Sequence, residues 1–599
     1  MAVSLEDRGN GVWTAPGARI VDRTGRRVLP IGRDGFEPAA ESFVLVDKTM
    51  LIADVLDSGY AATLFCRPRR FGKTLNMTML KSFFEAPPDG VSRAWLFEGT
   101  EIWEAGGGRY REHQGAYPVV HVSFNTVKKD TWEASYGELR NIIAAEYERH
   151  AYLAESRALS EAERRRFEEV RSGRAGDADY AGSLLMLCRM LRRHHDRRVV
   201  LLVDEYDAPV MAGYSAPDGG YYREVVSFLK GWLTGAIKDG GEVLEFACLT
   251  GVQRISKESI FSDLNNLVVS TALSTDSDER YGFTDAEVEA LATYLGHPGC
   301  MGEARAWYDG YRFGGVDVYN PWSVLNYLRK DCSPDVYWGN TSSNSVIGDL
   351  VRGADADTLE EVYALLEPGG VTWAPLDLGI VFPEDGFSGD AIWSMLYLAG
   401  YLTTEDTSTP NDTQALRPLR IPNREIARLF RVEVIERFST LAGGRMRISR
   451  LHEAIVRGDE ERVSAALAQM ARDSASSLDL VSENSCHMLL LGLLFGVPGY
   501  HDPRSNREAG YGRYDIRLVP EEVPAGRFVV ARERPLVTIE VKFERDADDD
   551  RLASLSRAAL AQISEKGYDE GPLPPVASGR LRWGVAFSGK RVVATCERP

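Results

Sequence analysis

Ala61-Ala62-Thr63-Leu64-Phe65-Cys66-Arg67-Pro68-Arg69-Arg70-Phe71-Gly72-Lys73-Thr74 is an apolar run that breaks into a short basic loop and closes on Gly-Lys-Thr. The run Ala61–Cys66 predicts a strand. Beyond the loop, Leu75, Met79, Leu80 and Phe83 recur at i, i+4, i+5 and i+8, which predicts a helix over Gly72–Phe84. A loop between a strand end and a helix start is the context a phosphate needs. Backbone N–H groups over Arg69, Arg70, Phe71 and Gly72 would cradle the anion, Lys73 would reach its β/γ oxygens, and the Thr74 hydroxyl would bind Mg²⁺. The first glycine of the GxxxxGK[ST] pattern is replaced by Arg67. Alone, Phe71-Gly72-Lys73-Thr74 is a weak signal, with a chance Gly-Lys-Thr at a helix start as its rival reading.

Val199-Val200-Leu201-Leu202-Val203-Asp204-Glu205 strengthens the first reading. Five apolar residues in a row predict a strand buried on both faces of a parallel sheet. It ends in two acids, which phosphate-loop ATPases use to support Mg²⁺ (Asp204 here) and to orient the attacking water (Glu205). A further apolar run, Val243–Thr250, places Thr250 where a polar group senses the terminal phosphate; Arg254 follows as a candidate for neutralising transition-state charge. For these last two residues the plain alternative is a strand end and a surface ion pair. Strands alternating with helices, including the charged stretch Thr131–Arg197, predict a doubly wound α/β domain ending near residue 275.

The whole chain sets limits on these readings. Its 599 residues are 44% hydrophobic and 26% charged, ordinary for a globular protein of several domains. No run reaches the ~18 apolar residues of a membrane span, and Met1–Arg27 lacks the apolar core of a secretory signal. Seven scattered cysteines without a CxxC pair argue against a disulfide framework or zinc site and fit a reducing cytoplasm. The net charge of −18 excludes a general electrostatic binder of nucleic acid, so phosphate contact requires local basic groups or metal ions. Ser476–Pro599, with 17 basic and 18 acidic residues, is nearly neutral.

That segment carries the second constellation. Pro535-Leu536-Val537-Thr538-Ile539-Glu540-Val541-Lys542-Phe543 predicts a strand on which Glu540 and Lys542, two apart, share a face. Burying such a pair is costly unless something compensates it. Upstream, Gly510-Tyr511-Gly512-Arg513-Tyr514-Asp515-Ile516-Arg517-Leu518 reads as a turn into a strand bearing Asp515. An Asp from one strand with Glu-x-Lys from its neighbour forms the PD-(D/E)XK arrangement. Its chemistry needs hard carboxylate oxygens for Mg²⁺ or Mn²⁺ and a Lys to orient or deprotonate the water that attacks a phosphodiester. Glu483 and His487 stand at i, i+4 on a predicted helix and can face one site. His487 is either a substrate-side contact or a helix histidine with a structural partner.

Taken together, Leu29-Pro30-Ile31-Gly32, Val46-Asp47-Lys48-Thr49, the Arg67–Thr74 loop, Val203-Asp204-Glu205-Tyr206-Asp207, Leu249-Thr250-Gly251-Val252 with Asn265-Asn266-Leu267, Trp307-Tyr308-Asp309-Gly310-Tyr311, Tyr319-Asn320-Pro321-Trp322-Ser323 and Tyr337-Trp338-Gly339-Asn340-Thr341-Ser342 resemble the bacterial AAA-ATPase-like family. The resemblance covers roughly residues 29–599. It implies ATP with Mg²⁺ in the first domain, a family loop of the form Arg-Pro-Arg-Arg-Phe-Gly-Lys-Ser/Thr, and a C-terminal PD-(D/E)XK nuclease whose substrate is DNA rather than RNA. It also implies that Glu483 is the first-motif acid and a metal ligand. Gln562, with Tyr568 on the helix after Glu-x-Lys, resembles the glutamine that positions substrate or the Lys in such nucleases; an exposed helix Gln is the alternative. The aromatics Trp307–Phe313 and Tyr319–Trp322 read more readily as packing residues than as base-stacking groups.

The expected organisation is a loose leader over 1–28, a phosphate-loop domain over 29–275, a helical middle or lid region over 276–475 and a restriction-endonuclease-like α/β domain over 476–599. Homo-oligomers are an open option, since ring assembly is common among AAA relatives. The rival functions are a nucleotide-switch sensor whose nuclease-like domain only binds nucleic acid or a protein, and an inactive ATPase scaffold carrying an autonomous nuclease.

Overall fold

The computed structural model describes residues 3–87, 89–217, 220–255, 260–261, 266–339, 347, 356–380, 389–408, 415–473, 482–522 and 534–599. Asn265, Asn340, Thr341 and Ser342 of the resemblance lie outside the described residues. The chain divides into two compact units, residues 1–341 with 373–426 and residues 342–372 with 427–599.

The first unit is built on a five-stranded parallel sheet. Its spatial order is Leu267–Ser270, Ala62–Cys66, Leu244–Gly251, Val199–Asp204, Val119–Ser123. Helices cover both faces, which is why Val199–Val203 can be apolar along its length and the strand wholly buried. The helix after the first of these strands in sequence runs Lys73–Phe84 and buries Met77, Leu80, Phe83 and Phe84. The charged stretch beyond it is helical over Trp132–Arg149, Glu161–Arg171 and Asp177–His195. An α/β fold with a parallel sheet was the expectation here, and the sheet has that form.

The N-terminal residues expected as a loose leader are ordered instead. Strands Glu6–Gly9, Val12–Ala15 and Ala18–Val21 form an antiparallel sheet with Leu45–Val46. Asn10 (φ 52°) and Gly11 (φ 76°) make the left-handed two-residue turn that closes the first hairpin. Ile20 packs into a cluster with Val44, Leu291 and Tyr294. The same cluster, or the layer against it, takes Trp307, Tyr308, Tyr319 and Trp322, so these aromatics serve packing, the stronger of the two readings. Asn320 accepts from Ser323 N–H and caps the helix that Pro321 begins.

The second unit is built on a five-stranded mixed sheet, ordered Arg504–Ala509, Gly512–Leu518, Leu536–Phe543, Arg580–Ser588, Arg591–Glu597. Leu536–Phe543 and Arg580–Ser588 pair in parallel; the other pairs are antiparallel. The parallel pair is joined by a helix, Asp549–Glu565, lying on the sheet. Gly584 permits that close approach: a Cβ there would stand 2.0 Å from Ser556 O and 2.7 Å from Leu560 N. Helix Glu483–Leu493 packs on Leu536–Phe543, and Ala356–Leu366 packs on that helix, with Tyr363 stacked on Phe495 at 5.3 Å.

Candidate functional site

In the first unit the parallel strands deliver polar side chains at their carboxyl ends, the edge at which open α/β sheets bind ligands. Thr74 Oγ1 donates to Asp204 Oδ2 at 2.8 Å. Thr250 Oγ1 donates to Asp204 Oδ1 at 2.5 Å. Ser123, paired in register with Asp204, donates to Oδ2 at 3.4 Å. Asp204 is fully buried, with three hydroxyls around its carboxylate. A carboxylate and a threonine hydroxyl in this relation are the donor pair used for a nucleotide's Mg²⁺. Ser123, the last residue of the strand Val119–Ser123, was not singled out from the sequence.

Lys73 Nζ is buried and donates to the carbonyls of Arg67 (3.0 Å) and Pro68 (2.9 Å). Burial lowers its pKa, against the pull of Glu205, Asp207 and Asp204. Gly72 caps the helix at φ 83° with open space where a Cβ would stand. Arg69 and Arg70 are exposed, and the Arg70 guanidinium lies 4.4 Å from the Trp322 ring centroid. Phe71 is buried between Tyr311 and Phe313. Glu205 leaves its strand in left-handed backbone (φ 52°), a strained state worth about 1–3 kcal/mol. Its carboxylate lies 4.0 Å from Lys128 Nζ, another residue the sequence did not flag. Arg254 is half-buried on a two-residue strand paired with Gly379 and Ile380.

Two residues hold this edge together. Asp207 accepts Val252 N–H at 2.8 Å and Gln253 N–H at 2.9 Å; burial raises its pKa. Arg67 is fully buried. Its guanidinium donates to Cys66 O (3.0 Å), Ser270 O (2.9 Å), Ser270 Oγ (3.1 Å) and Asp276 O (3.4 Å), with Tyr281 and Phe313 rings 5.1 and 5.4 Å away. The side chain in place of the expected glycine therefore ties the loop to the neighbouring strand.

In the second unit, backbone pairing between Gly512–Leu518 and Leu536–Phe543 runs from Leu518↔Val537 to Ile516↔Ile539. One residue on, the Asp515 carboxylate takes the Val541 N–H at 2.6 Å. Glu540 Oε1 accepts from Lys542 Nζ at 3.2 Å and from Gln562 Nε2 at 2.5 Å. Its other oxygen, Oε2, is buried with no hydrogen-bond partner. Gln562, half-buried, also donates to Tyr568 Oη at 3.2 Å, so its amide meets Glu540 rather than Lys542. Glu483 is exposed, with Oε1 3.7 Å from Lys542 Nζ. His487 Nε2 sits 3.1 Å from Asp515 O and 3.0 Å from Ser505 Oγ, a partner set that fixes the Asp515 strand.

Burial, then the Asp515 charge, pushes the Glu540 pKa up to about 7, against the pull of Lys542. Burial raises Asp515 as well. Burial works against the Lys542 charge, but Glu540 and Glu483 outweigh it and hold that ammonium above its ordinary value. Among the described residues, no group of three His, Cys, Asp or Glu side chains is gathered to hold a metal ion. Two carboxylates, one with an unpartnered buried oxygen, nevertheless suit a hard cation that keeps several waters and takes further oxygens from a phosphate.

Residues 30–261 match the model of the AAA-ATPase-like family, described as "Predicted AAA-ATPase". An uncharacterized protein in the vnfD 5′ region of Azotobacter chroococcum mcd 1 is 27% identical over 563 residues, spanning 87% of this chain and 97% of that protein. The Walker-type ATPase PABY2304 of Pyrococcus abyssi is similar in structure at a TM-score of 0.35 and 14% identity, over 68% of this chain and 99% of that one.

Proposed function

We propose that this chain binds and hydrolyses ATP in its first unit and that this turnover gates a metal-dependent nuclease, acting on DNA, in its second. The family match over residues 30–261 supports the nucleotide half, as do the hydroxyls of Thr74 and Thr250 around Asp204. The nuclease half rests on one observation: Glu540 takes the Lys542 ammonium, the Asp515 carboxylate takes the amide of Val541 between them, and Glu540 keeps a buried oxygen without a partner.

In this reading Thr74 and Asp204 would hold the nucleotide's Mg²⁺, and Asp515 and Glu540 would hold Mg²⁺ or Mn²⁺, with Glu483 as an outer carboxylate. Bound there, a divalent cation supplies Lewis-acid stabilisation of charge developing on phosphate oxygens. Lys73 exchanges the Arg67 and Pro68 carbonyls for phosphate oxygens, trading neutral acceptors for charged ones. The amides over Arg69, Arg70, Phe71 and Gly72 line the loop. Glu205 orients the attacking water and takes its proton, and Arg254 supplies positive charge. In the second unit Lys542, held protonated by two acids, orients the water for in-line attack on phosphorus as a donor. Gln562 fixes the Glu540 carboxylate, and His487 fixes the strand of Asp515.

The test is cleavage of labelled DNA by the full chain with Mg²⁺ or Mn²⁺, with and without ATP. Wild type should cut faster with ATP, Lys542→Ala should not cut, and Lys73→Ala should lose the ATP response. ATP-stimulated cleavage retained in both variants would reject the mechanism. Glu483, exposed and beside Lys542 rather than among the acids, supports one rival, a nucleotide switch whose second unit binds nucleic acid or protein without cutting. Wild type that releases phosphate and binds DNA but leaves it intact would establish that rival.

A further inference from the structure

Between the strands Arg504–Ala509 and Gly512–Leu518 the chain turns through Gly510 and Tyr511. Tyr511 is 85% exposed. The ring gains nothing from burial in the free protein and is open to cover by a ligand. Its backbone is not loose. Tyr511 N–H donates to Lys566 O at 2.8 Å, at the end of helix Asp549–Glu565. Gly510 (φ 54°) lies so close that a Cβ would stand 2.1 Å from the same carbonyl. At Gly512 a Cβ would stand 3.0 Å from Tyr568 Oη. The turn is clamped to the helix while the ring projects into solvent.

The clamp leads directly to the catalytic carboxylate. Tyr568 Oη, beside Gly512, accepts from Gln562 Nε2, and the same amide donates to Glu540 Oε1. The exposed ring therefore stands a few side-chain contacts from the candidate centre. The hairpin is basic, although the whole chain carries −18. Arg504 and Arg517 stand opposite each other across its strands, with Arg517 donating to Tyr568 O near the Asp569 charge. Arg513, with a 68% exposed side chain, shares the strand face of Asp515 and, among the described residues, has one long ion pair, 3.6 Å, to Glu508. Arg507 pairs with Glu367, and Arg517 lies over the Tyr514 ring.

We infer that Tyr511 is a stacking platform for an unpaired nucleobase next to the scissile phosphate, with Arg513 and Arg504 neutralising the adjoining backbone. The inference rests on the nuclease reading and narrows its substrate. A ring standing free on a rigid turn takes a base by its face. A base inside a duplex has both faces covered, so the strand engaged is single-stranded or frayed at the cut.

The experiment uses the full chain and fluorescein-labelled oligonucleotides: a single strand, a blunt duplex, and single strands with one abasic residue stepped along the sequence. Anisotropy with Ca²⁺ reads binding; Mg²⁺ or Mn²⁺ reads cleavage. Tyr511→Ala should weaken single-strand binding and kcat/KM by about 5- to 150-fold. Tyr511→Phe should stay within about twofold, and the duplex should respond to neither variant. One abasic position should cost the wild type as much as Tyr511→Ala does, with no further loss when the two are combined. Equal binding and cutting by wild type and Tyr511→Ala on every oligonucleotide would overturn the inference. If the wild type binds but never cuts, the nuclease reading fails, and the anisotropy series alone decides whether Tyr511 stacks on a base. If it does not bind single strands at all, the stacking role is refuted too.

Discussion

Restoring the usual glycine of the phosphate loop, Arg67→Gly, should damage this protein. The Arg67 guanidinium makes three hydrogen bonds of 2.9–3.1 Å to Cys66 O, Ser270 O and Ser270 Oγ. Bonds from a charged donor are worth about 1.5–3 kcal/mol each, and an acceptor left stranded in the interior costs about 1–3. Against this stands the cost of burying a cation, which removal recovers in part. Three stranded acceptors, less the recovered desolvation of the cation, come to about 3–5 kcal/mol, and a glycine adds up to about 1 in lost chain rigidity. The expected loss is about 4–6 kcal/mol, a large share of a total stability of about 5–15. Amide hydrogen exchange read by mass spectrometry on peptides covering Ala62–Cys66 and Leu267–Ser270 localises it, because Arg67 joins the loop after the first strand to the last residue of the second. Protection there should collapse while peptides of the second unit hold theirs, and ATP affinity should fall. Arg67→Met, which fills the space without the donors, should lose about 3 kcal/mol. Unchanged protection in Arg67→Gly, or tighter ATP binding, would refute the assignment of Arg67 as a structural tie.

Glu425 is fully buried, accepts Ser323 Oγ and the N–H groups of Tyr337 and Trp338, and is pushed up to about 7 by burial. A raised acid is stabilising below its unfolded pKa of about 4.3 and loses that contribution as pH rises through 7. Urea melts should therefore show Glu425→Gln equal to wild type below about pH 4, pulling ahead as pH rises from there to 7. Gln562→Ala removes a donor from Glu540, whose pKa should climb further; the acidic limb of a cleavage pH profile should move to higher pH, while Tyr568→Phe leaves it in place. Gly584→Ala drives a methyl into Ser556 O and Leu560 N and should cost about 1–3 kcal/mol or more by thermal melt, with cleavage falling as the helix that carries Gln562 lifts.

Much of this was readable before any fold was known, because the decisive signals are local. The five-residue apolar run Val199–Val203, closed by two acids, marks a strand covered on both sides, and Lys73, Thr74 and Asp204 follow from strand ends. Glu540 and Lys542 share a face because strands alternate. What escaped was set by distant partners or turn chemistry. Arg67 looked like a defect in a motif, since its acceptor Ser270 lies 203 residues away. The Asn10-Gly11 hairpin was hidden in a stretch whose arginines and glycines suggested looseness. Glu425 carried no pattern, because the amides it serves are 87 and 88 residues upstream. Glu483 stands beside Lys542 rather than among acids, a pairing no spacing rule anticipates.

The second unit is assembled from two separate stretches of chain, and that has a bearing on its birth. Tyr363, on helix Ala356–Leu366, hydrogen-bonds to Met488 O, 125 residues downstream. At about 5–20 residues per second a ribosome needs roughly 6–25 s to cover that distance. Throughout that interval the earlier helix has left the exit tunnel with its apolar side uncovered, while the chain beyond it completes the first unit. A gene fragment beginning near residue 476 would omit this helix altogether and should yield insoluble product, whereas supplying 342–372 in trans offers a route to rescue.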